Sequence, residues 1–190
     1  MRELVLKMSM SLDGFVSDLA GENRWMFGGD PAARAWVVET ISDASLHIMG
    51  SRTFRDMAGY WPSSADVFAP PMNQIPKAVF SRQGPAVLSD ADADGAGGWA
   101  QAYVAGGELA EEIGALKALD GKPIVAHGGA SFARSLVAQG LVDQFALLVL
   151  PVAIGQGRPL FSELAAPARL KLVSSTAFPG GAVAQVYRKA

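Results

Sequence analysis

Residues 124–161 read IVAHGGASFARSLVAQGLVDQFALLVLPVAIGQGRPLF, and this stretch carries the clearest structural pattern in the chain. A short apolar strand leads into the glycine pair Gly128-Gly129, an amphipathic helix follows and ends at Gly140, and a long apolar strand comes next. Parallel strands need a crossover of this kind, so the stretch predicts one strand, helix and strand unit of an α/β sheet. The glycine pair either turns the chain or lets the backbone approach a ligand.

The segments before this unit extend the same alternation. The remaining strands of the first half are expected over 3–10, 14–18, 46–50 and 77–81. Helices are expected after the capping signal Asp30-Pro31, after Ser51 and over 107–119. Residues 83–102 are rich in Gly, Ala and Asp, which predicts a loop that leads into one edge strand.

The tail predicts two strands that turn at Pro179-Gly180-Gly181. Strands that alternate with helices favour a parallel sheet covered on both faces, and the closing strands without helices favour an antiparallel edge. We therefore expect residues 1–190 to form a single α/β domain of three layers (α/β/α), with a mainly parallel central sheet and an antiparallel C-terminal hairpin.

Composition excludes several function classes. The chain has no cysteine and only two histidines, which argues against thiol chemistry and zinc, so we expect no metal. A formal net charge of -2 provides no cationic excess for nucleic acid. We expect neither a signal peptide nor a membrane span, since the first residues have only a short apolar stretch broken by Lys7 and no apolar run reaches the roughly 18 residues that a span needs. We expect a cytoplasmic protein with a small-molecule partner.

The junction HIMGSRTF, at 47–54, has the composition of an anion site. Gly50 ends a strand, and Ser51, Arg52 and Thr53 would begin the following helix. Backbone N–H groups at a helix N-terminus attract phosphate, and the guanidinium adds a cationic fork. From this segment alone, a plain helix cap with a surface arginine is equally acceptable.

A second arginine follows the next strand of the predicted sheet. Ser81 and Arg82 come directly after 77–80, so they should lie at the same sheet edge as Arg52 if the two strands are neighbours. Two arginines at one place suit a 2′-phosphate, which favours NADP over NAD.

The glycine pair itself is weak evidence for a nucleotide. Gly128-Gly129 precedes a helix that starts near Ala130 and Ser131, but Ala133 stands where a dinucleotide fingerprint has its third glycine. A tight turn remains the alternative.

Few side chains offer proton chemistry. His47 lies within an apparent strand and is expected to be packed, whereas His127 lies beside the glycines, nearer to the possible site. Asp13, in SLDGF, is either a turn residue or a polar group that faces a substrate. Aromatic residues in loop-like segments could wall a pocket for a flat ring or simply cover the sheet ends. They are Trp25, Tyr60 and Trp61.

Four segments in the same order resemble the dihydrofolate reductase superfamily. They are MSMSLDGFVS (8–17), IMGSRTFRDMAGYWP (48–62), KAVFSR (77–82) and the stretch 124–161. The resemblance is closest to the branch that includes the reductase domain of the bifunctional riboflavin-biosynthesis deaminase-reductase. It implies a dihydrofolate reductase-like fold, NADPH across the strand ends, and hydride transfer to a small heterocyclic or ribosylaminopyrimidine-type substrate. It also implies a homodimer.

The resemblance assigns roles to residues. Those that match cofactor-binding positions are Ser9, Val16, Gly50, Ser51, Arg52, Thr53, Ser81, Arg82, Gly128, Gly129, Ala130, Ser131 and Phe132. Asp13 is the expected polar residue nearest the hydride path, with Asp56 second. Trp25, Tyr60 and Trp61 would form the substrate wall.

The sequence departs from folate reductases at one position. In those enzymes a carboxylate on the first helix helps to protonate the pterin, and this position falls near Arg34, with Asp30 and Glu39 as the nearest acids. The missing acid argues against dihydrofolate reduction as the main activity and favours a non-catalytic nucleotide-binding module that kept the fold. A pterin or dihydrofolate-type reductase is the other alternative to the ribosylaminopyrimidine-type reductase.

Overall fold

A computed structural model describes residues 1–27, 29–91 and 97–190. The strands are β1 (Leu4–Ser11), β2 (Leu46–Gly50), β3 (Lys77–Phe80), β4 (Tyr103–Ala105), β5 (Ile124–Ala126), β6 (Gln144–Leu150), β7 (Leu170–Ala177) and β8 (Val183–Lys189). The α-helices are α1 (Pro31–Ser42), α2 (Ser51–Tyr60), α3 (Ala69–Gln74), α4 (Leu109–Ala118) and α5 (Ala130–Ala138).

The eight strands form one sheet in the order β4-β3-β2-β5-β1-β6-β8-β7. Strands β1 to β6 pair with one another in parallel, whereas β8 runs antiparallel to both β6 and β7. The mainly parallel sheet with an antiparallel C-terminal hairpin is thus confirmed. The expected edge strand after 83–102 is β4, although residues 92–96 of that loop lie outside the described residues.

Alternating residues of the strands feed two cores, one on each face of the sheet. On one face, Val5, Met49 and Val79 pack with buried residues of α1, α2 and α3. On the other, Leu4 and Leu6 pack with buried residues of α4 and α5. Each strand side chain points opposite to its neighbour, so a sheet between two helical layers buries both sets.

Two elements differ from the sequence expectation. Residues 14–18 do not form a strand, because only Phe15 pairs, in an isolated bridge with Pro159. Helix α3 was missed, since Pro70 and Pro71 suggest a loop, yet proline is well tolerated in the first turn of a helix.

The start of α1 follows the predicted capping chemistry. The Asp30 carboxylate accepts hydrogen bonds from the backbone N–H groups of Ala32 and Ala33, and Pro31 occupies the first helical position. Helix α2 begins directly after β2, and α5 begins three residues after the neighbouring strand β5. Their N-termini therefore meet at one edge of the sheet, which positions the site described next.

Candidate functional site

A cleft of about 1500 Å³ lies at the carboxyl ends of the parallel strands. Its walls come from β1, the segments 16–27 and 29–30, helices α1, α2 and α5, and the segment 148–158. Ligands of open α/β sheets bind in this position, where a strand hands over to a helix.

Two helix N-termini meet at one end of the cleft. The Thr53 hydroxyl, in the first turn of α2, accepts a 2.6 Å hydrogen bond from the backbone N–H of Gly129, which precedes α5. The N-cap residues are Gly50 and Gly129, and neither helix has a side-chain cap. Free N–H groups of both helices are therefore available to an anion.

Three glycines permit close backbone approach here. A Cβ atom on Gly129 would lie 3.0 Å from Thr53 Oγ1, and one on Gly50 would lie 3.2 Å from Phe132 Cβ. Gly128 has a φ of +72°, and its Cβ would lie 2.8 Å from Met8 Sδ. The peptide bond between Gly128 and Gly129 is cis. Side chains larger than glycine would crowd this end of the cleft.

Three arginines line the same end. Arg52 and Arg82 are joined by Arg158, which sequence reasoning missed. The guanidinium groups of Arg52 and Arg158 both approach Gly21, within 3.2 and 3.7 Å of the position of its Cβ. Among the described residues no carboxylate pairs with any of the three. This end of the cleft is strongly cationic.

Aromatic side chains line the other end. Trp25, in a 3₁₀ turn over Arg24–Met26, and Trp61, after α2, pack on the core beside α1, α2 and α3. Trp61 contacts Tyr60 and Phe68, with ring centroids 4.8 and 6.1 Å apart. The indole N–H groups of Trp25 and Trp61 are buried and have no acceptor within the described residues.

An ion pair lies beside these rings. One nitrogen of Arg34, on α1, donates to both oxygens of Asp66 at 2.9 and 2.8 Å, and its guanidinium lies 4.8 Å from the centre of the Phe68 ring. Hydrogen bonding to Arg34 lowers the pKa of Asp66 below its usual value. The acid nearest Arg34 is thus Asp66, from a loop 32 residues further along, rather than Asp30 or Glu39.

A family model of the RibD C-terminal domain matches residues 2–184. The chain belongs to the RibD C-terminal domain family. A relative within curated proteins, the uncharacterized protein YyaP of Bacillus subtilis, is 29% identical over 191 residues, which cover 98% of this chain and 94% of YyaP.

Solved structures share the fold of this RibD C-terminal domain. A pyrimidine reductase-like protein from Corynebacterium diphtheriae matches with a TM-score of 0.69 and 20% identity, over 100% of this chain and 92% of that one. A diaminohydroxyphosphoribosylaminopyrimidine deaminase/5-amino-6-(5-phosphoribosylamino)uracil reductase from Thermotoga maritima matches with a TM-score of 0.67 and 17% identity. The match covers 100% of this chain and 57% of that one. Dihydrofolate reductase from Enterococcus faecalis matches with a TM-score of 0.65 and 14% identity, over 98% of this chain and 96% of that one. The fold is dihydrofolate reductase-like.

Most of the residues predicted for the site of this RibD C-terminal domain do line the cleft. They are Ser9, Val16, Trp25, Gly50, Ser51, Arg52, Thr53, Asp56, Tyr60, Trp61, Arg82, Gly129, Ala130, Ser131 and Phe132. Three predicted residues do not. They are Asp13, Ser81 and Gly128.

The prediction that Asp13 is a polar group facing the ligand is not supported by its contacts. Its carboxylate accepts hydrogen bonds from the backbone N–H groups of Ile154 and Gly155, at 3.1 and 2.7 Å. A hydrogen bond with Ser11, and then these backbone bonds, lower the pKa of Asp13. Asp13 joins the loop after β1 to the loop after β6, which is a structural role.

Ser81 and Gly128 also turn away from the cleft. The Ser81 hydroxyl is buried and accepts a hydrogen bond from the backbone N–H of Gln83, so it closes the turn after β3. Gly128 is buried against Met8. Neither residue lines the cleft: the turn after β3 uses the Ser81 hydroxyl, and Gly128 is buried.

Lys7 is a cleft residue that sequence reasoning missed. It lies in the middle of β1, its ammonium donates to Ser9 Oγ at 3.3 Å, and burial lowers its pKa to about 8. A lysine inside an apolar strand was the available signal, since buried lysines are rare. Its ammonium group lies on the floor of the cleft.

The two histidines lie against each other beneath the cleft. His47 is fully buried, as expected, and its Nε2–H donates a 2.8 Å hydrogen bond to the backbone carbonyl of Ile41, which fixes the proton on Nε2. Its ring centroid is 4.5 Å from that of His127, which lines the cleft. Burial lowers the pKa of His47 to about 4 and that of His127 well below 6.5.

Groups of three or more residues able to hold a metal are absent from the described part of the chain. No helix there has the length and apolar character needed to cross a bilayer.

Proposed function

We propose that this protein is an NADPH-dependent reductase that transfers hydride to a small heterocyclic or ribosylaminopyrimidine-type substrate. One observation carries the proposal: a single cleft has two uncapped helix N-termini and three unpaired arginines at one end, and aromatic rings at the other. Membership of the RibD C-terminal domain family supports it. A solved protein of the same fold is named as a 5-amino-6-(5-phosphoribosylamino)uracil reductase.

The cationic end fits a dinucleotide phosphate. A Cβ on Gly129 would meet Thr53, so the backbone there is open only because glycine occupies the position. The N–H groups of α2 and α5 would bind the diphosphate oxygens. Arg52, Arg82 and Arg158 supply more positive charge than a diphosphate alone requires, which favours the additional 2′-phosphate of NADPH over NADH.

The chain's own residues bind and orient the reactants and exclude water from them. When bound, the nicotinamide cofactor supplies the hydride. Trp25, Trp61 and Phe68 would hold a flat ring against the floor of the sheet, and their apolar surfaces keep water out. Orientation of the two reactants is the main contribution that a protein makes to such a reaction.

Lys7 is the best placed group for a proton. With a pKa of about 8, Lys7 is mostly protonated at neutral pH, yet it releases its proton more readily than an exposed lysine does. We propose that its ammonium donates to an acceptor atom of the substrate on the cleft floor. Asp56, which lines the cleft from α2, remains a second candidate.

Thermal denaturation tests the cofactor assignment directly. Saturating NADPH should raise the melting temperature of the purified protein more than NADH does, because a ligand that binds only the folded state stabilises it by mass action. Equal shifts, or none, would contradict the proposal. NADPH oxidation in the presence of ribosylaminopyrimidines, pterins and quinones then tests for turnover.

A non-catalytic nucleotide-binding module is the second candidate. It is favoured by the pairing of Asp66 with Arg34, which leaves no free acid where folate reductases use one. Stable NADPH binding without oxidation by any acceptor would support the module, and turnover would exclude it.

We further propose that the protein is a homodimer and works in the cytoplasm. Strand β7 is an unpaired edge of the sheet and exposes Leu172 and Val173 to 49% and 54%. An exposed apolar edge strand favours pairing with a second copy. Light scattering on the purified protein measures the oligomeric state, and a monomer at micromolar concentration would contradict the dimer.

A further inference from the structure

Charge is segregated along the cleft. Arg52, Arg82 and Arg158 lie at the end with the helix N-termini, without carboxylate partners in the described residues. Around the aromatic rings the lining includes Asp30, Arg34 and Asp66, and Glu22 and Asp56 add two further carboxylates to the cleft. The two ends therefore suit different chemical groups.

Among the described residues, the wall around the aromatic rings has no unpaired cation for an anionic ligand; the ammonium of Lys7 lies on the floor at β1. Arg34 donates to both oxygens of Asp66 and lies over Phe68, so its charge is already neutralised and its position is held. Asp30 adds a negative charge at the start of α1, where it accepts hydrogen bonds from Ala32 and Gly180. A phosphate or carboxylate brought here would face two carboxylates and only one, already paired, guanidinium.

The same end offers hydrogen-bond donors that are neutral. The indole N–H groups of Trp25 and Trp61 are buried without an acceptor in the described residues. A buried donor without a partner is costly, and a ring nitrogen or carbonyl of a ligand would satisfy it. The rings of Trp25, Trp61 and Phe68 provide the matching flat apolar surface.

We propose that the substrate is an uncharged, flat heteroaromatic compound with ring acceptor atoms, and that the Arg34–Asp66 pair excludes phosphorylated and carboxylated analogues. The inference rests on the proposed function, because it assigns the cationic end to the cofactor. It selects, within that function, the substrates that lack a phosphate group. Asp66 is the residue that sets this specificity, since it removes Arg34 from the binding chemistry.

A matched pair of fluorescent probes tests the inference by binding. 6-Hydroxymethylpterin is uncharged at neutral pH, and pterin-6-carboxylate is its anionic counterpart of similar size. Fluorescence titration of the full chain, with saturating NADP⁺ to occupy the cationic end, should give at least about tenfold tighter binding of the uncharged pterin, the typical effect of one unfavourable charge contact.

Two variants should change this ratio in opposite directions. Asp66→Asn keeps the acceptor for the backbone N–H of Phe68 but frees the charge of Arg34, so pterin-6-carboxylate should bind about tenfold more tightly while 6-hydroxymethylpterin changes little. Arg34→Gln leaves Asp66 charged and should weaken the binding of pterin-6-carboxylate further. Asp43→Asn is the matched control, since Asp43 is exposed, pairs with Lys122 and lies outside the cleft.

Equal affinities of the native protein for the two pterins would overturn the inference, as would an unchanged ratio in Asp66→Asn. Binding of neither pterin, in samples that NADPH stabilises, would also overturn it. Thermal shifts with NADPH on the same samples report the proposed function separately. A missing NADPH shift together with a tenfold pterin preference would reject the cofactor and retain the substrate class.

Discussion

Thr53 and Gly129 are joined by a 2.6 Å hydrogen bond that holds the N-terminus of α2 against that of α5. Thr53 accepts through its hydroxyl, so the bond needs an oxygen at this position. The two residues come from different junctions of neighbouring strands. Their contact turns two ordinary helix starts into one anion site.

Removing that oxygen should separate the two N-termini. Thr53→Val keeps the shape of the side chain but leaves the N–H of Gly129 without its acceptor, at a cost of about 1 kcal/mol. We expect NADPH affinity, measured by isothermal titration, to fall roughly tenfold. Thr53→Ser retains the hydroxyl and should bind nearly as well as the native protein. Similar losses in both variants would mean that the methyl group, not the hydrogen bond, is required.

Gly129→Val should damage the cofactor site more than the fold. The added Cβ would lie 3.0 Å from Thr53 Oγ1, at the place where the diphosphate is expected. We expect NADPH binding to be lost while the melting temperature falls only a little. Gly59→Ala is the control, because nothing lies within 4 Å of its added Cβ on α2. Equal loss of stability and binding in Gly129→Val would mean that the glycine pair only turns the chain and does not contact the cofactor.

Arginine substitutions should separate the two nicotinamide cofactors. Arg52→Ala and Arg82→Ala each remove a cation that lines the cleft, and we expect them to weaken NADPH while NADH binding stays nearly unchanged. A loss of about 1–3 kcal/mol in NADPH affinity is typical of a phosphate contact. Titration of each variant with both cofactors measures the difference. If both cofactors lose affinity equally, these arginines contact the shared diphosphate.

Asp13→Ala should loosen the loop after β6 rather than alter chemistry. The Asp13 carboxylate holds the N–H groups of Ile154 and Gly155, so its loss should speed amide hydrogen exchange at these residues and lower the melting temperature. Asp56→Ala, a cleft residue on α2, should leave that exchange unchanged. Unaltered exchange in Asp13→Ala would contradict the structural role.

Stability should fall as the pH drops from 7 to 5. Burial lowers the pKa of His47 from 6.5 to about 4, so between these values the unfolded chain binds a proton that the folded chain does not. The free energy of unfolding should decrease by about 2 kcal/mol at pH 5 from this residue alone, and His127 acts in the same direction. Urea titrations at several pH values measure the slope. His47→Gln should flatten it, and a constant stability from pH 7 to 5 would contradict the assignment.

The buried lysines Lys7 and Lys77 should also make the free energy of unfolding rise with pH, in the alkaline range. Burial lowers the pKa of Lys7 and Lys77 from 10.5 to about 8, so the unfolded chain holds more protons between these values. Stability contributed by this difference rises with pH across that window. Lys7→Met should reduce the rise in the same urea titrations.

Local patterns in the sequence were enough for most of the secondary structure. The capping signal Asp30-Pro31 starts α1 because a carboxylate and a proline suit those positions in any fold. Gly50 ends β2, and Gly50 and Gly129 are the N-cap residues of α2 and α5. Residues 14–18 were assigned wrongly, since the pairing of a strand depends on a partner that periodicity does not specify.

Apart from α3 and the segment 14–18, the sequence by itself determined the order of strands and helices, the mainly parallel sheet, and the junctions Gly50–Thr53 and Gly129–Phe132 that line the cleft. The tertiary structure decided which distant side chains meet: Arg158 with Arg52, Asp66 with Arg34, and Asp13 with Gly155. Hydrophobic periodicity is a property of neighbouring residues, whereas these contacts depend on how loops pack over the sheet ends, which no local pattern encodes.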